Sequence, residues 1–236
     1  MQNENTYNPF ASPSREAAFP RLMQKTYLWM MFGLIMTALT ATYVAGNAAL
    51  MQTIFTGSSF LILVIAELAL VMFLSARIMK MSFITAGLLF AAYSILNGAT
   101  LSIILLAYEP GVIATTFFVT AGMFAAMSLL GFFTSRDLSG LGRFLIMALV
   151  GIIIASVVNL FMHSEGLYWA VSYLGVLVFA GLTAYDTQKI KHMLMAYGGE
   201  VNDDTQKLAL LGSLTLYLDF INLFLFLLRI FGGGRD

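Results

Sequence analysis

Cysteine is absent from this chain, which removes disulfides, thiolate nucleophiles and cysteine-based metal sites together. Charge is nearly as scarce. Asp, Glu, Lys and Arg make up only 10% of the 236 residues, where soluble domains carry about 25%. A water-facing surface cannot be built from so few charges. Those that remain cancel, twelve against twelve, and a chain without a basic excess lacks the electrostatic footprint for nucleic acid. Proline is confined as well: three of the four lie within residues 1–26. That opening tract has no continuous apolar run of the kind a cleavable leader needs. It reads as a disordered cytoplasmic tail, in which Asn8-Pro9-Phe10 is incidental.

What is present is apolar surface, 60% of the residues, with a mean hydropathy of +0.87. From Tyr27 onward it falls into runs long enough to cross a hydrocarbon core as helices. Seven are predicted: Tyr27–Gly46, Ser59–Ala76, Met81–Tyr108, Val112–Thr134, Phe144–Met162, Leu167–Tyr185 and Leu208–Ile230. Glu109-Pro110-Gly111 reads as a turn, Ser139-Gly140-Leu141-Gly142 as a flexible loop, and Gly198-Gly199 as a helix end. The expected organisation is an all-α polytopic membrane protein: tail 1–26, a seven-helix membrane domain 27–231 and a short polar tail 232–236.

Lys and Arg orient it. Arg15, Arg21, Lys25, Arg77, Lys80, Arg136, Arg143, Lys189, Lys191 and Lys207 all fall on one side of the seven-span arrangement, and only Arg229 and Arg235 on the other. The positive-inside rule then places the N-terminus in the cytoplasm and the C-terminus outside.

Polar side chains inside spans mark faces turned to protein or water. The last span is the clearest case. Gly212, Thr215, Asp219, Asn222, Phe226 and Arg229 recur at spacings of three and four, one stripe on a helix. Asp219 has eleven residues of the span on each side, so its carboxyl lies near the midplane. An ionised Asp there costs about 2.5–3.5 kcal/mol on insertion scales, and the stripe should therefore face inward. In the sixth span Asp186 shares a face with Thr183, Phe179, Gly175 and Ser172. Span boundaries put the two carboxyls at depths differing on the order of 10–15 Å at 1.5 Å per residue. Glu67 lies within the second span. Asn97 with Ser94, and Asn159 with Ser156 and His163, read as interhelical hydrogen-bonding groups, with His163 in a loop.

AGLTAYDTQKIK, followed about thirty residues later by LTLYLDFINLFLFLLRIFG, resembles the transmembrane Bax inhibitor motif family. FVTAGMFAAMSLLGFFTSRDLSGLGRFL resembles its bacterial branch, and the similarity covers residues 20 to 234. The resemblance implies residence in a bacterial inner membrane and a last helix surrounded by the other six. It implies that Asp186 and Asp219 form a carboxylate pair sensing pH in a calcium leak. Glu67 matches an acidic position of the second helix, and Arg229 the basic residue of LLRIFG. Arg77 is the candidate for a basic residue that engages the pair, although it lies roughly 80° round the helix from Glu67.

Three functions compete. In a pH-gated cation leak, two close carboxylates disfavour double ionisation and share a proton; the same oxygens would transiently coordinate Ca²⁺ at Asp186 and Asp219. An intramembrane aspartyl protease needs two aspartates too, and Tyr185-Asp186 resembles half of such a site. Its second half should follow Gly-x-Gly, whereas Tyr217-Leu218 precede Asp219. A non-conducting regulator of membrane proteolysis or stress responses would dock partners through the N-terminal tail or the Glu200–Lys207 loop. The expectation is the leak, not an enzyme, with no cofactor and with the bilayer, cations and membrane proteins as partners.

Overall fold

The computed structural model describes residues 13–197 and 200–233. Among them run nine α-helices: α1 Pro13–Ala45, α2 Ala48–Phe55, α3 Ser59–Arg77, α4 Phe83–Leu101, α5 Ile104–Ala107, α6 Pro110–Phe133, α7 Ser139–Met162, α8 Glu165–Tyr197 and α9 Asp203–Gly232. Seven segments are long and apolar enough to cross a membrane, α4 and α5 together supplying one of them. The seven-span reading stands.

The helix ends follow local chemistry. Pro110 opens α6, where its missing N–H costs nothing. Asn202 and Thr205 form a reciprocal capping box at the start of α9, with bonds of 2.9 and 3.0 Å. His163 closes α7 in the left-handed region at φ 50°. The third span is interrupted at Ser102, the residue that ends α4, whose Oγ donates back to the Ala99 carbonyl at 2.7 Å. Between the first two spans, Asn47 caps the short α2 by accepting from Leu50 N at 3.1 Å.

Two expectations are corrected. Residues 13–26, read as disordered tail, are helical, because this stretch docks: Leu22 and Met23 are buried, the Thr26 carbonyl accepts from Ser213 Oγ at 2.7 Å, and Lys25 Nζ donates to Gln206 at 2.5 Å. Residues 1–12 of that tail, Gly198-Gly199 and residues 234–236 of the C-terminal tail lie outside the described residues. Ser139–Gly142 is the first turn of α7, not a loop. Gly142 is a packing residue there, since a Cβ would run into the Tyr185 ring.

The core is a helix pair. In their apolar windows α8 and α9 are each 56% buried, against 6% for α3 and 11% for α7. Helices α1, α4, α6 and α8 pack on α9, while α3 packs mainly on α4 and α7 mainly on α8. Of the seven spans, α8 and α9 are the most buried, and the second and fifth the least. Close approach is bought by glycine: a Cβ on Gly131 of α6 would collide with the Ala184 backbone of α8, and one on Gly175 of α8 with the Phe226 ring of α9.

Candidate functional site: two aspartates on one cavity

Antiparallel pairing of α8 with α9 sets the site. Gly175 lies against Phe226 near one end and Ile190 against Gly212 near the other. That register puts Asp186 level with Thr215, one helical turn from Asp219, an offset of about 6 Å along the axis. The larger depth mismatch inferred from span boundaries disappears because both helices extend well past their apolar runs, α8 to Tyr197 and α9 from Asp203.

Asp186 and Asp219 line one cavity of about 520 Å³ between α7, α8 and α9, together with Thr215, Asn222, Ser156 and Phe226. Their relative exposures are 8% and 5%, and each lies within electrostatic reach of the other and of Lys189. No hydrogen bond joins the two carboxyls among the described residues, and Asp219 Oδ2 is buried with no protein partner. The shared proton expected from sequence is thus not seen as a direct carboxyl–carboxyl bond; the two groups face a common space.

The neutral groups on the wall present acceptors. Ser156 Oγ donates to the Ile152 carbonyl at 2.8 Å and Thr215 Oγ1 to that of Leu211 at 3.2 Å. Asn222 Nδ2 donates to the Leu218 carbonyl at 2.8 Å. With their hydroxyl hydrogens turned back onto the helices, Ser156 and Thr215 keep oxygen lone pairs, while Asn222 keeps its carbonyl oxygen and one N–H. No cluster of three or more His, Cys, Asp or Glu exists among the described residues. Two carboxylates and a few neutral oxygens fall short of the six to eight ligands of a tight Ca²⁺ site, and suit a passing cation better than a resident one.

The other predicted residues separate. Glu67 does not line this cavity. Its Oε1 accepts from Asn97 Nδ2 at 2.5 Å and its Oε2 from Thr100 Oγ1 at 2.8 Å, tying α3 to α4. Arg77 is exposed at the end of α3. Arg229 lies one turn beyond Phe226, its guanidinium 5.2 Å from that ring, in a neighbouring cavity that shares Ser156 and Val157 with the first. Asn159 caps rather than crosses, accepting from Ser164 N at 2.9 Å.

Sequence reasoning missed two features. Thr37 Oγ1 and the Tyr217 hydroxyl lie 2.6 Å apart, linking α1 to the opposite face of α9. Gln188 holds the α6–α7 connection, donating to the Arg136 carbonyl and accepting from Leu138 N. A Tyr two residues before the buried Asp was the available signal for the first; nothing local marks the second.

Seven apolar spans, two of them a buried helix pair that carries the two aspartates, define a polytopic integral membrane protein. The family model described as "Inhibitor of apoptosis-promoting Bax1" matches residues 20–236, and the chain belongs to that family. It is 54% identical over 220 residues to the "Inner membrane protein YbhL" of Escherichia coli, covering 93% of this chain and 94% of that one. It is 44% identical to an uncharacterised protein of Deinococcus radiodurans over 214 residues, 91% of this chain and 90% of the other. A Borreliella burgdorferi protein is also 44% identical, over 220 residues, 92% of this chain and 93% of that one.

Proposed function

We propose that this protein is a pH-sensitive cation leak of the bacterial inner membrane, with Ca²⁺ as a cargo and Asp186 and Asp219 as gate. The observation that carries the reading is the shared cavity, in which Asp219 Oδ2 has no protein partner. Buried polar atoms are nearly always satisfied, so a buried carboxyl oxygen left unpartnered on a residue that lines a cavity suits a group that exchanges protons or cations. Once both carboxyls are ionised, their repulsion acts between α8 and α9; one proton removes it. Flux should therefore rise with pH. The leak is favoured over proteolysis because an aspartic dyad holds its carboxyls about 3 Å apart around one proton, and these two make no such bond. Neither an enzymatic reaction nor a cofactor is part of the proposal.

Inner-membrane residence is supported by the name of the Escherichia coli relative. The orientation, N-terminus in the cytoplasm and C-terminus outside, rests on the Lys and Arg asymmetry. A reporter fused after Asp236 should read as non-cytoplasmic, and one within Glu200–Lys207 as cytoplasmic; a cytoplasmic signal at Asp236 contradicts it. The gate is tested by Ca²⁺ entry into dye-loaded liposomes holding only the purified protein, at several pH values. A non-conducting regulator would give no flux.

A further inference from the structure

Beside the carboxylate cavity lies a larger one of about 760 Å³, at the end of the bundle where α9 stops. Its one strong cation is Arg229, half-buried near the end of α9. Among the described residues both ion pairs are made by Lys207, and within that set the Arg229 guanidinium has neither a carboxylate within 4.0 Å nor a hydrogen bond. Its recorded contact is the Phe226 face. Glu165 is also on the wall, but it is exposed, and its Oε1 accepts from the Trp169 indole at 3.4 Å. A guanidinium carries five N–H donors in a planar fork suited to phosphate; here that fork lies on the cavity wall with no ion pair to another described residue.

Two further features fix the class of ligand. Tyr108 and Tyr168 line the same cavity. The Tyr108 ring is packed where a Cβ on Gly232 would be, and burial pushes its hydroxyl above its ordinary value, so it stays a neutral donor. Around them Tyr168, Trp169 and Tyr173 form a run of stacked and edge-on rings, the aromatic belt that sits at headgroup level. Val157, Leu160 and Val171 make an apolar edge to a wall that is otherwise polar, and Leu160 is 70% exposed. A cation, neutral donors and an apolar edge together make a site for an amphiphile.

We propose that this cavity binds the phosphate group of an anionic lipid, with the Arg229 guanidinium on the phosphate oxygens, Tyr108 and Tyr168 donating to it, and an acyl chain leaving over Leu160. The test is native mass spectrometry of the full-length protein in non-ionic detergent, titrated with dioleoyl phosphatidylglycerol, with glycerol 3-phosphate as the soluble arm. Wild type should take up one lipid saturably. Arg229→Gln should weaken uptake about tenfold, the scale of one lost charge-assisted contact, and Arg229→Lys less. Val157→Phe, which fills the cavity and leaves Arg229 in place, should weaken it as well. Should Arg229→Gln fail to fold, Arg229→Lys and Val157→Phe decide. Binding of glycerol 3-phosphate alone, lost in the same variants, keeps the phosphate site and assigns it a soluble source. Lipid uptake equal in wild type, the Arg229 variants that fold and Val157→Phe overturns the proposal.

Discussion

Two carboxylates in the middle of membrane spans meet opposite fates in this molecule. Glu67 stands on α3, the least buried span, yet both of its oxygens are taken by Asn97 and Thr100 of the neighbouring helix. Asp219 stands on α9, at the core, where partners are abundant, and one of its oxygens has none. Depth and cost do not separate them. What separates them is whether the surroundings were built to satisfy the group. Glu67 is a tie between helices, and a tie works best when saturated. Asp219 and Asp186 instead line one cavity, with no hydrogen bond between them among the described residues.

The contrast can be broken first through packing. Gly131→Ala puts a methyl into the Ala184 backbone, where nothing flexible can yield. It should destabilise the α6–α8 contact by about 1–3 kcal/mol or more and lower the midpoint of thermal unfolding in detergent markedly. Gly151→Ala, on the little-buried α7 with nothing within 4 Å, should leave that midpoint unchanged. Equal effects would mean that the α8–α9 core does not dominate stability.

Next, Asn97→Leu removes a donor from a carboxylate that depends on it. The expected loss is about 1–3 kcal/mol, read as a lower unfolding midpoint, whereas Asp219→Asn removes no hydrogen bond to Oδ2 and should match wild type in stability. If Asp219→Asn is the more damaging of the two, Asp219 is the structural tie and the assignment is reversed. The smallest effect belongs to Arg77. Exposed at the end of α3, it should tolerate Gln within about 0.5 kcal/mol, with flux and its pH response unaltered; a changed response would place Arg77 in the gate.

Much of this was legible in the sequence. The seven spans were visible because lipid imposes long apolar runs. The stripe on the last helix was visible because polar residues among Leu and Phe can only be recurring on one side. Thr215, Asp219, Asn222 and Phe226 of that stripe do line one cavity, and Arg229 lines the next. The helical stretches outside the apolar runs were hidden, since α1 before Tyr27 and α7 before Phe144 are polar and carry the Pro and Gly that usually signal loops. Register was hidden for a different reason. It depends on shape matching between Gly175 and Phe226 and between Ile190 and Gly212, pairs distant in sequence, and it is what brings Asp186 to the level of Asp219. The partner of Glu67 was hidden in the same way: Asn97 was read as a helix–helix group, but which helix it would meet is a tertiary fact.

The most direct test of the difference between the carboxylates is Ca²⁺ entry into liposomes reconstituted with wild type, Asp186→Asn, Asp219→Asn, the double variant and Glu67→Gln, from about pH 5 to pH 8, above the ordinary carboxyl range. Wild-type flux should rise with pH. Asp186→Asn and Asp219→Asn should each lose most of that rise, and the double variant should be little worse than either, as expected for residues acting as one unit. Glu67→Gln, which keeps an acceptor for Asn97 and Thr100, should keep the full rise. Flux that is independent of pH in wild type, or a pH response abolished by Glu67→Gln and retained by both aspartate variants, would contradict the assignment of the gate to Asp186 and Asp219.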